Sequence, residues 1–162
     1  MLAYLKPIYS FTYRYVGSAQ DTEDITQEVF VKIWRHLKKF DQNKSFKTWV
    51  FAIAKNTAID FLKKKKIMLF SEFENEAGEN MLTETLSDPA PLPQKLLEKA
   101  GVAQMLSSAT DKLPLKYRMV LFLRYNDHFT FREIAESLEE PLHTVKSRHR
   151  RALIMLRKLL QN

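Results

Sequence analysis

Apolar side chains in the first 66 residues recur at the three- and four-residue steps of amphipathic helices. Pro7 is tolerated in the first turn of a helix, Gly17 is suited to end one, and Asp21 or Thr22 is suited to cap the next. The pattern predicts three helices. Their expected buried stripes are Ile8, Phe11, Tyr15 and Val16, then Ile25, Val29, Ile33, Trp34 and Leu37, then Phe46, Trp49, Val50, Ile53, Thr57 and Phe61.

The stretch from Phe40 to Lys66 combines an unusual set of side chains. Ser45 is a good N-cap that follows a polar loop, 41–44. Trp49 and Asn56 lie two helical turns apart, so they share the edge where the apolar stripe meets water. Such a helix, with lysines on its other sides, can hold phosphates and take an unstacked base. An ordinary amphipathic helix with a solvated lysine face shows the same pattern and is the more common case.

Helical periodicity is lost over residues 67–93. Residues 71–88 contain six acids and no base, and three prolines follow. This composition predicts a flexible acidic linker. Helical spacing resumes near Gln94. We therefore expect an all-α protein with two small helical domains, 1–66 and 94–162, joined by the linker.

The strongest local signal begins at Phe129. Thr130–Glu133 is a capping box, and Phe129 with Ile134 forms its expected hydrophobic staple. A short helix to about Leu138 should follow. The preceding segment supplies further apolar residues for a core, namely Val120, Leu121, Leu123 and Tyr125.

A tight turn at 139–140 and a longer basic helix from Pro141 complete a helix-turn-helix layout. One side of the longer helix carries Val145, Ala152, Leu153, Leu156 and Leu160, and the opposite side and its flanks carry Thr144, Lys146, Ser147, Arg148, Arg150 and Arg151. The polar set can contact phosphates and base edges in a major groove. An αα-hairpin with a basic exterior is the alternative, but layout, capping and charge together favour duplex DNA.

The charge of the chain, +7 overall, is unevenly distributed. Residues 1–66 hold 13 Lys/Arg against 6 Asp/Glu, residues 67–100 hold 2 against 7, and residues 101–162 hold 11 against 6. Two basic blocks separated by an acidic one indicate two modules that bind polyanions.

Several classes of protein are disfavoured by composition. Cysteine is absent and glycine numbers three, so disulfides, thiol chemistry and glycine-rich nucleotide loops are not expected. The four histidines form no ligand-like cluster, and no paired carboxylates or nucleophile–base set stands out. No secretion signal and no apolar run of ~18 residues are present. We expect a cytoplasmic protein that is not an enzyme and uses no metal or cofactor.

Two stretches resemble one protein family. The pieces DITQEVF and SFKTWVFAIAKNTAIDFL are similar to region two of bacterial sigma factors, and EIAESL, TVKSR and RA are similar to region four. Their order, the short chain and the lack of a middle domain resemble the extracytoplasmic-function (ECF) branch of the sigma-70 family. The resemblance implies a subunit that binds RNA polymerase core, directs it to specific promoters and promotes DNA melting.

The resemblance also implies roles for individual residues. Asp24, Gln27 and Glu28 match the family's DxxQE pattern, which docks on the clamp helices of the largest polymerase subunit. Phe40, the loop 41–45 with Asn43, Lys44 and Ser45, and Asn56 match the elements that capture a flipped base of the minus-ten element in single-stranded promoter DNA. Trp49 and Lys55 lie in the same strand-opening helix and complete the minus-ten candidates. Duplex DNA at the minus-thirty-five element would be contacted by Thr144, Lys146, Ser147, Arg148, Arg150 and Arg151. Relatives are often held by an anti-sigma factor, which makes one a candidate partner.

The chain departs from the family pattern in three places. Fewer residues precede YLKPIYSF than is usual, which leaves open a truncated N-terminus. Glu140 and His143 replace small turn residues, often glycine. His149 stands where Leu or Ile is usual, and we expect it at the edge of the core.

Two other classes of function remain as alternatives. A stand-alone helix-turn-helix repressor or activator would bind duplex DNA as a dimer, but it leaves the stretch from Phe40 to Asn56 without a role. An all-helical RNA-binding or adaptor protein would use both basic faces to follow phosphates without reading sequence.

Overall fold

The computed structural model describes the backbone of residues 2–75 and 97–161, with side chains for 2–69, 71 and 101–161. All regular structure in these residues is helical, which confirms the all-α prediction. Short 3-10 turns form at Leu2–Tyr4 and Leu37–Lys39, and the α-helices are α1 (Leu5–Val16), α2 (Ala19–His36), α3 (Phe46–Asn75), α4 (Leu97–Asp111), α5 (Leu115–Tyr125), α6 (Phe131–Leu138) and α7 (Leu142–Gln161). None of these described helices has both the length and the apolar character of a membrane span.

The described residues divide into two compact units, 2–75 with 136–138 and 97–135 with 139–161. In the first unit, α1, α2 and α3 each pack against the other two. The rings of Phe11 and Phe51 meet edge to face, with centroids 5.1 Å apart. The central side chains of this three-helix core are at most 1% exposed, namely Ile8, Phe11, Ile25, Val29, Ile33, Val50, Phe51, Ala54 and Ala58.

Two of the predicted helix ends in the first unit are confirmed. Gly17 ends α1 with a left-handed backbone (φ 72°), and its N–H donates to the carbonyl of Tyr13 at 2.8 Å. Ser45 precedes α3, and its hydroxyl accepts from the N–H of Thr48 at 3.4 Å. The cap predicted for α2 was wrong, because Ser18 takes that position.

Ser18 caps α2 because it directly follows Gly17 with an extended backbone (φ −119°, ψ 126°). Its hydroxyl accepts from the N–H of Asp21 at 3.4 Å. The helix therefore begins at Ala19, which places Asp21 inside the first turn. There the carboxylate complements the positive end of the helix dipole.

The buried stripe of α2 is shorter than predicted. It repeats every four residues through Ile25, Val29 and Ile33, whereas Trp34 is 70% exposed and Leu37 is 40% exposed. Trp34 follows the last core residue and is therefore turned about 100° away from the core. Leu37 lies in the 3-10 turn after α2, where the four-residue repeat is broken.

The buried face of α3 also differs from the prediction. Val50, Phe51, Ala54 and Ala58 are buried, whereas Trp49 and its predicted stripe neighbours Phe46 and Ile53 are only half-buried. The small side chains of the alanines allow α3 to lie close to its neighbours. The prediction gave most weight to bulky residues, so it placed the centre of the buried face too close to Trp49.

The linker predicted over 67–93 is partly wrong, because α3 continues to Asn75. Residues 67–75 contain no glycine or proline to end the helix. The remainder of the predicted linker, 76–93, and the restart near Gln94 lie outside the described residues.

In the second unit, α4 and α5 pack against α7. Leu113, Leu121 and Ala152 form a buried cluster. Tyr125, predicted for this core, is 56% exposed, and Leu153 on the predicted apolar side of α7 is 40% exposed. Partly buried side chains complete the cluster, namely Tyr117, Met155 and Leu156.

Replacing Gly101 with alanine should raise the free energy of unfolding by about 0.5–1 kcal/mol. Gly101 lies within α4, and an added Cβ meets no atom within 4 Å. Gly17→Ala is the matched control. It should lower stability by about 1 kcal/mol, because its backbone is left-handed (φ 72°). Urea denaturation of the three chains measures both effects, and destabilisation by Gly101→Ala would contradict a regular helix at this position.

Candidate nucleic-acid interfaces

The loop before α3 is held by hydrogen bonds to one aspartate. The N–H of Asn43 donates to Asp41 Oδ1 at 3.0 Å, and the N–H of Lys44 donates to the Asp41 carbonyl at 3.0 Å. The aspartate thus forms a side-chain turn of the kind that replaces a backbone turn. Because Ser45 then caps α3, the loop has a defined shape and leaves Asn43 and Lys44 exposed.

Three aromatic rings, Phe40, Phe46 and Trp49, join the two ends of this loop. The centroid of Phe40 lies 4.8 Å from that of Trp49 and 5.4 Å from that of Phe46. The centroids of Phe46 and Trp49 are 5.7 Å apart. All three side chains are half-buried, so this aromatic cluster supports the loop and still reaches the surface.

A cleft of about 300 Å³ lies between α2, the turn after it and α3. It brings Trp49 and Asn56 together, as their spacing predicted. It also contains two lysines and a histidine that the sequence did not assign to the site. The helical spacing of four and three residues between positions 32, 36 and 39 was the signal that could have found them. The lining residues are Lys32, His36, Lys39, Trp49, Ile53, Asn56 and Thr57.

Lys32 is fixed by contacts on both sides. Its ammonium lies 2.8 Å from Glu28 Oε1 and donates to Thr57 Oγ1 at 3.2 Å. The Thr57 hydroxyl in turn donates to the carbonyl of Ile53 at 2.8 Å. The ring of His36 is 2.8 Å from the Lys32 carbonyl through Nδ1, which donates because a carbonyl can only accept. These bonds orient one wall of the cleft before any ligand is present.

The remaining minus-ten candidates differ in exposure. Asn56, Ser45 and the loop residues Asn43 and Lys44 are exposed. Lys55 is only 9% exposed. The structure thus brings the loop, Trp49 and Asn56 to one side of the first unit.

The polymerase-binding candidates all lie on an exposed face of α2. Asp24, Gln27 and Glu28 point away from the core residues of this helix. Val31, 47% exposed, and Trp34, 70% exposed, continue the same side, because they lie four and seven residues after Gln27. We call these five residues the outer face of α2. Trp34 was missed because its bulk had suggested a core position.

The capping box of α6 is formed as predicted. The N–H of Thr130 donates to Glu133 Oε2 at 2.7 Å, and the N–H of Glu133 donates to Thr130 Oγ1 at 3.2 Å. Phe129 and Ile134, the predicted staple, are both fully buried. The local sequence therefore fixes the start of α6 by two reciprocal bonds and an apolar contact.

The turn between α6 and α7 has a left-handed residue at Glu139 (φ 54°). The N–H of Glu140 donates back to the carbonyl of Ala135 at 2.9 Å, as in a Schellman helix end. The position that favours glycine is therefore Glu139, whereas the sequence comparison had pointed to Glu140 and His143. A tight turn and the helix-turn-helix layout are confirmed, with Pro141 preceding α7 and not inside it.

The predicted DNA-contacting side of α7 is exposed except near Arg148. Val145 and Ala152 are fully buried on the opposite side. The guanidinium of Arg148 lies 3.0 Å from Glu140 Oε1, so an acid of the turn already neutralises it. Thr144 is half-buried, and the exposed members of the set are Lys146, Ser147, Arg150 and Arg151.

His149 lies at the edge of the core, as expected. Its Nε2 is 3.0 Å from the hydroxyl of Tyr125, and its ring lies 5.0 Å from that of Phe131. Burial and, to a smaller degree, the nearby Arg124 guanidinium lower the pKa of His149 below its ordinary value of 6.5. The folded protein therefore favours the neutral imidazole.

Stability should consequently decrease as the pH falls below about 6.5, because the unfolded chain then binds a proton that folded His149 resists. Urea denaturation between about pH 8 and pH 5 measures this dependence. His149→Leu should remove part of it, and His143→Leu, at an exposed position of α7, is the matched control. The same pH dependence in the His149→Leu chain as in the unaltered one would contradict the assignment.

Comparison with known proteins places these features in one family. The model of Sigma-70 region 2 matches residues 1–67, and that of Sigma-70, region 4 matches residues 103–156. The ECF RNA polymerase sigma factor SigW of Bacillus subtilis is 35% identical over 161 residues, covering 98% of this chain and 86% of the relative. The ECF RNA polymerase sigma-E factor of Escherichia coli K12 is 31% identical over 153 residues, covering 94% and 80%.

The fold is also found among solved structures. The sigma factor RpoE of Bartonella quintana, crystallised with the anti-sigma factor NepR, superposes with a TM-score of 0.72 at 21% identity, covering 99% of this chain and 93% of that one. The two family models, the sequence relatives and this solved structure therefore indicate the same family. The chain belongs to the ECF family of sigma-70 factors, non-enzymatic subunits that bind RNA polymerase and direct it to promoters.

Proposed function

We propose that this sigma factor promotes promoter melting by capturing an unpaired base of the minus-ten element in its first unit. The observation that carries the proposal is the cleft that brings Trp49 and Asn56 together beside the fixed loop and the aromatic cluster. An indole can stack on a base, and an amide can donate to and accept from its edge. Residues 1–66 would form the minus-ten and polymerase-binding domain.

Base capture favours the melted state because the cleft binds DNA only when a base has left the duplex. Unstacking and unpairing a base costs a few kcal/mol. Stacking on an aromatic side chain contributes about 1–3 kcal/mol per base, and phosphate contacts add to it. The two magnitudes are similar, so capture of one or two bases offsets the cost without ATP.

The domain expected over residues 94–162 would bind duplex DNA at the minus-thirty-five element through α7. Lys146, Ser147, Arg150 and Arg151 are exposed on the side opposite the core. Three cations and a hydroxyl on one helix can contact phosphates and base edges in the major groove. A role of Arg148 in DNA binding would require exchange of its Glu140 partner for a phosphate.

Core polymerase would dock on the outer face of α2, through the clamp helices of its largest subunit. An exposed tryptophan beside three polar groups is typical of an interface anchor. The stand-alone repressor alternative gives no role to this face or to the cleft.

An anti-sigma factor is a second proposed partner. Two similar structures, RpoE with NepR and CnrH with the cytosolic domain of CnrY, are complexes of this kind. The exposed Val31 and Trp34 offer apolar surface that such a partner could cover.

Run-off transcription with purified core polymerase and a genomic template pool tests the proposed function. We expect selective transcripts, unpaired thymines near the start sites and a shared promoter motif. Core polymerase without the chain provides the baseline. If the chain initiates selectively only on pre-melted templates and never on duplex templates, a role in melting is contradicted.

Arg151→Ala should weaken protection of the upstream promoter element by about 1–3 kcal/mol if it contacts a base edge. DNase footprinting of the polymerase complex measures this loss. Arg157→Ala removes the same charge from an exposed position nearer the end of α7, and should have a smaller effect. Equal protection by both variants would contradict the assignment of α7 residues.

A further inference from the structure

The turn between α6 and α7 places negative charge next to the basic helix. Glu139 and Glu140 are consecutive acids that precede α7, and the exposed side of α7 carries Lys146, Arg150 and Arg151. A DNA phosphate that approaches these cations is attracted by them and repelled by the acids. The position of the two acids therefore affects how strongly α7 can bind DNA.

Glu140 is held in position by the backbone of the turn. Its N–H donates to the carbonyl of Ala135 at 2.9 Å, and the preceding Glu139 has a left-handed backbone (φ 54°). A hydrogen bond at the start of α7 follows directly, from the N–H of Val145 to the carbonyl of Pro141 at 3.1 Å. Because the backbone is hydrogen-bonded on both sides of Glu140, its carboxylate reaches α7 from a defined point.

The guanidinium of Arg148 binds this carboxylate. Its Nη1 lies 3.0 Å from Glu140 Oε1, and the side chains of Arg148 and Glu140 are 22% and 32% exposed. Arg148 shares one flank of α7 with Thr144 and Arg151, which lie four residues before it and three after it. Arg151 is exposed on this flank, whereas Arg148 is neutralised by an acid of its own chain. The pair thus removes one cation from the helix that is proposed to contact DNA.

A DNA phosphate can take the place of the carboxylate. A guanidinium binds both groups through the same planar set of N–H donors. Water still reaches both members of the pair, so their attraction is weakened and the pair can open. Every duplex offers phosphates whatever its sequence, so Glu140 competes with all DNA for Arg148.

We propose that Glu140 is an intramolecular competitor of DNA: by pairing with Arg148 it withholds one phosphate contact and lowers the affinity of the sigma factor for DNA of any sequence. The proposal rests on the proposed function in one respect, that α7 is the helix that contacts duplex DNA. It adds to that function a residue that acts against DNA binding.

A lower sequence-independent affinity keeps the protein available for promoters. Non-promoter sites outnumber promoters by many orders of magnitude, and phosphate contacts supply nearly all of the binding to them. Withholding one phosphate contact therefore shortens the time that the protein spends on non-promoter DNA. Sequence is read by contacts to base edges, which the Glu140–Arg148 pair leaves in place.

The salt dependence of non-promoter binding tests the proposal. The full-length chain is titrated with a duplex of arbitrary sequence at several salt concentrations, beginning at low salt. Glu140→Gln removes the charge and keeps the shape of the side chain. It should raise the affinity several-fold and steepen the log–log salt slope by about 0.9, as expected for one added phosphate contact on duplex DNA. An unchanged or lower affinity of this variant overturns the proposal.

Two further variants assign the effect to Arg148. Glu139→Gln removes the adjacent exposed acid, and it should change the affinity much less and leave the slope unchanged. Arg148→Ala combined with Glu140→Gln should return the slope to that of the unaltered chain, because the freed guanidinium is then absent. If Glu139→Gln steepens the slope as much, or if the steeper slope persists without Arg148, the increase is a general effect of charge and the proposal is wrong.

Footprinting of the polymerase complex on a promoter separates failure of this proposal from failure of the proposed function. If the unaltered chain gives protection of the upstream element while Glu140→Gln leaves the salt slope unchanged, α7 binds DNA and only the role of Glu140 is wrong. If the unaltered chain initiates with core polymerase but gives no upstream protection, the proposed DNA contact of α7 fails, and the role of Glu140 fails with it.

Discussion

Replacing Trp34 with alanine should weaken binding of the sigma factor to core polymerase by about 2 kcal/mol or more, roughly thirtyfold in the dissociation constant. Trp34 is 70% exposed and extends the face that carries Asp24, Gln27 and Glu28. Tryptophans at the centre of interfaces contribute most of the binding energy when a partner removes them from water. Titration of labelled core polymerase with the variant measures the change directly.

Two further variants make the Trp34 result specific. Tyr13→Ala removes another exposed aromatic residue of the same unit, on α1, and should leave core binding unchanged. Glu28→Lys reverses a charge on the outer face of α2 and should weaken binding. Thermal unfolding of Trp34→Ala should match that of the unaltered protein, because little of the side chain is buried. Undiminished core binding by Trp34→Ala would exclude this face from the interface centre.

The fold was predictable from the sequence where the determining interactions are local. The capping box at Thr130 and Glu133, the cap at Ser45 and the end of α1 at Gly17 each involve residues within four positions of one another. Such contacts depend only on the local backbone geometry of neighbouring residues, not on how the helices pack. For this reason the starts of α3 and α6 were placed correctly.

The direction in which each helix faces was less predictable. Trp34 was assigned to a buried stripe, yet it is 70% exposed. Trp49, expected at the edge of its stripe, is half-buried. Ala54 and Ala58, which form part of the core of α3, had no weight in a pattern built on bulky residues. Burial depends on how three helices pack together, and the periodicity of one helix does not contain that information.

The candidate site shows the same division between local and tertiary information. Trp49 and Asn56 lie on one helix, so their spacing alone predicted a shared edge. Lys32, His36 and Lys39 reach the same cleft because α2 packs beside α3. The sequence shows that these three residues share one side of α2, but it does not show that α3, with Trp49 and Asn56, lies opposite them.

The two sides of α2 are connected by one ion pair. Glu28 belongs to the outer face, and Lys32 lines the cleft, with 2.8 Å between their charged groups. Such a partly exposed pair contributes about 1 kcal/mol or less. A substitution at Glu28 therefore alters the polymerase-binding face and the cleft together, which makes Trp34 the cleaner probe of the former and Asn56 the cleaner probe of the latter.

Asn56→Ala should reduce open complexes about tenfold and leave closed complexes nearly unchanged, because its amide meets a base only after that base has left the duplex. Loss of the hydrogen bonds contributes about 1 kcal/mol, and looser stacking on Trp49 adds to it. Permanganate reactivity of unpaired thymines reports the open complex, and footprinting at low temperature reports the closed one.

A matched amide and a pre-melted template sharpen the Asn56 test. Gln20→Ala removes an exposed amide from the first turn of α2, away from the residues that line the cleft, and should leave both complexes unchanged. A template mismatched over the minus-ten element supplies the unpaired strand in advance, so initiation by Asn56→Ala should recover most of its loss there. Equal losses of open and closed complexes would instead place Asn56 in duplex binding, and base capture would no longer account for melting.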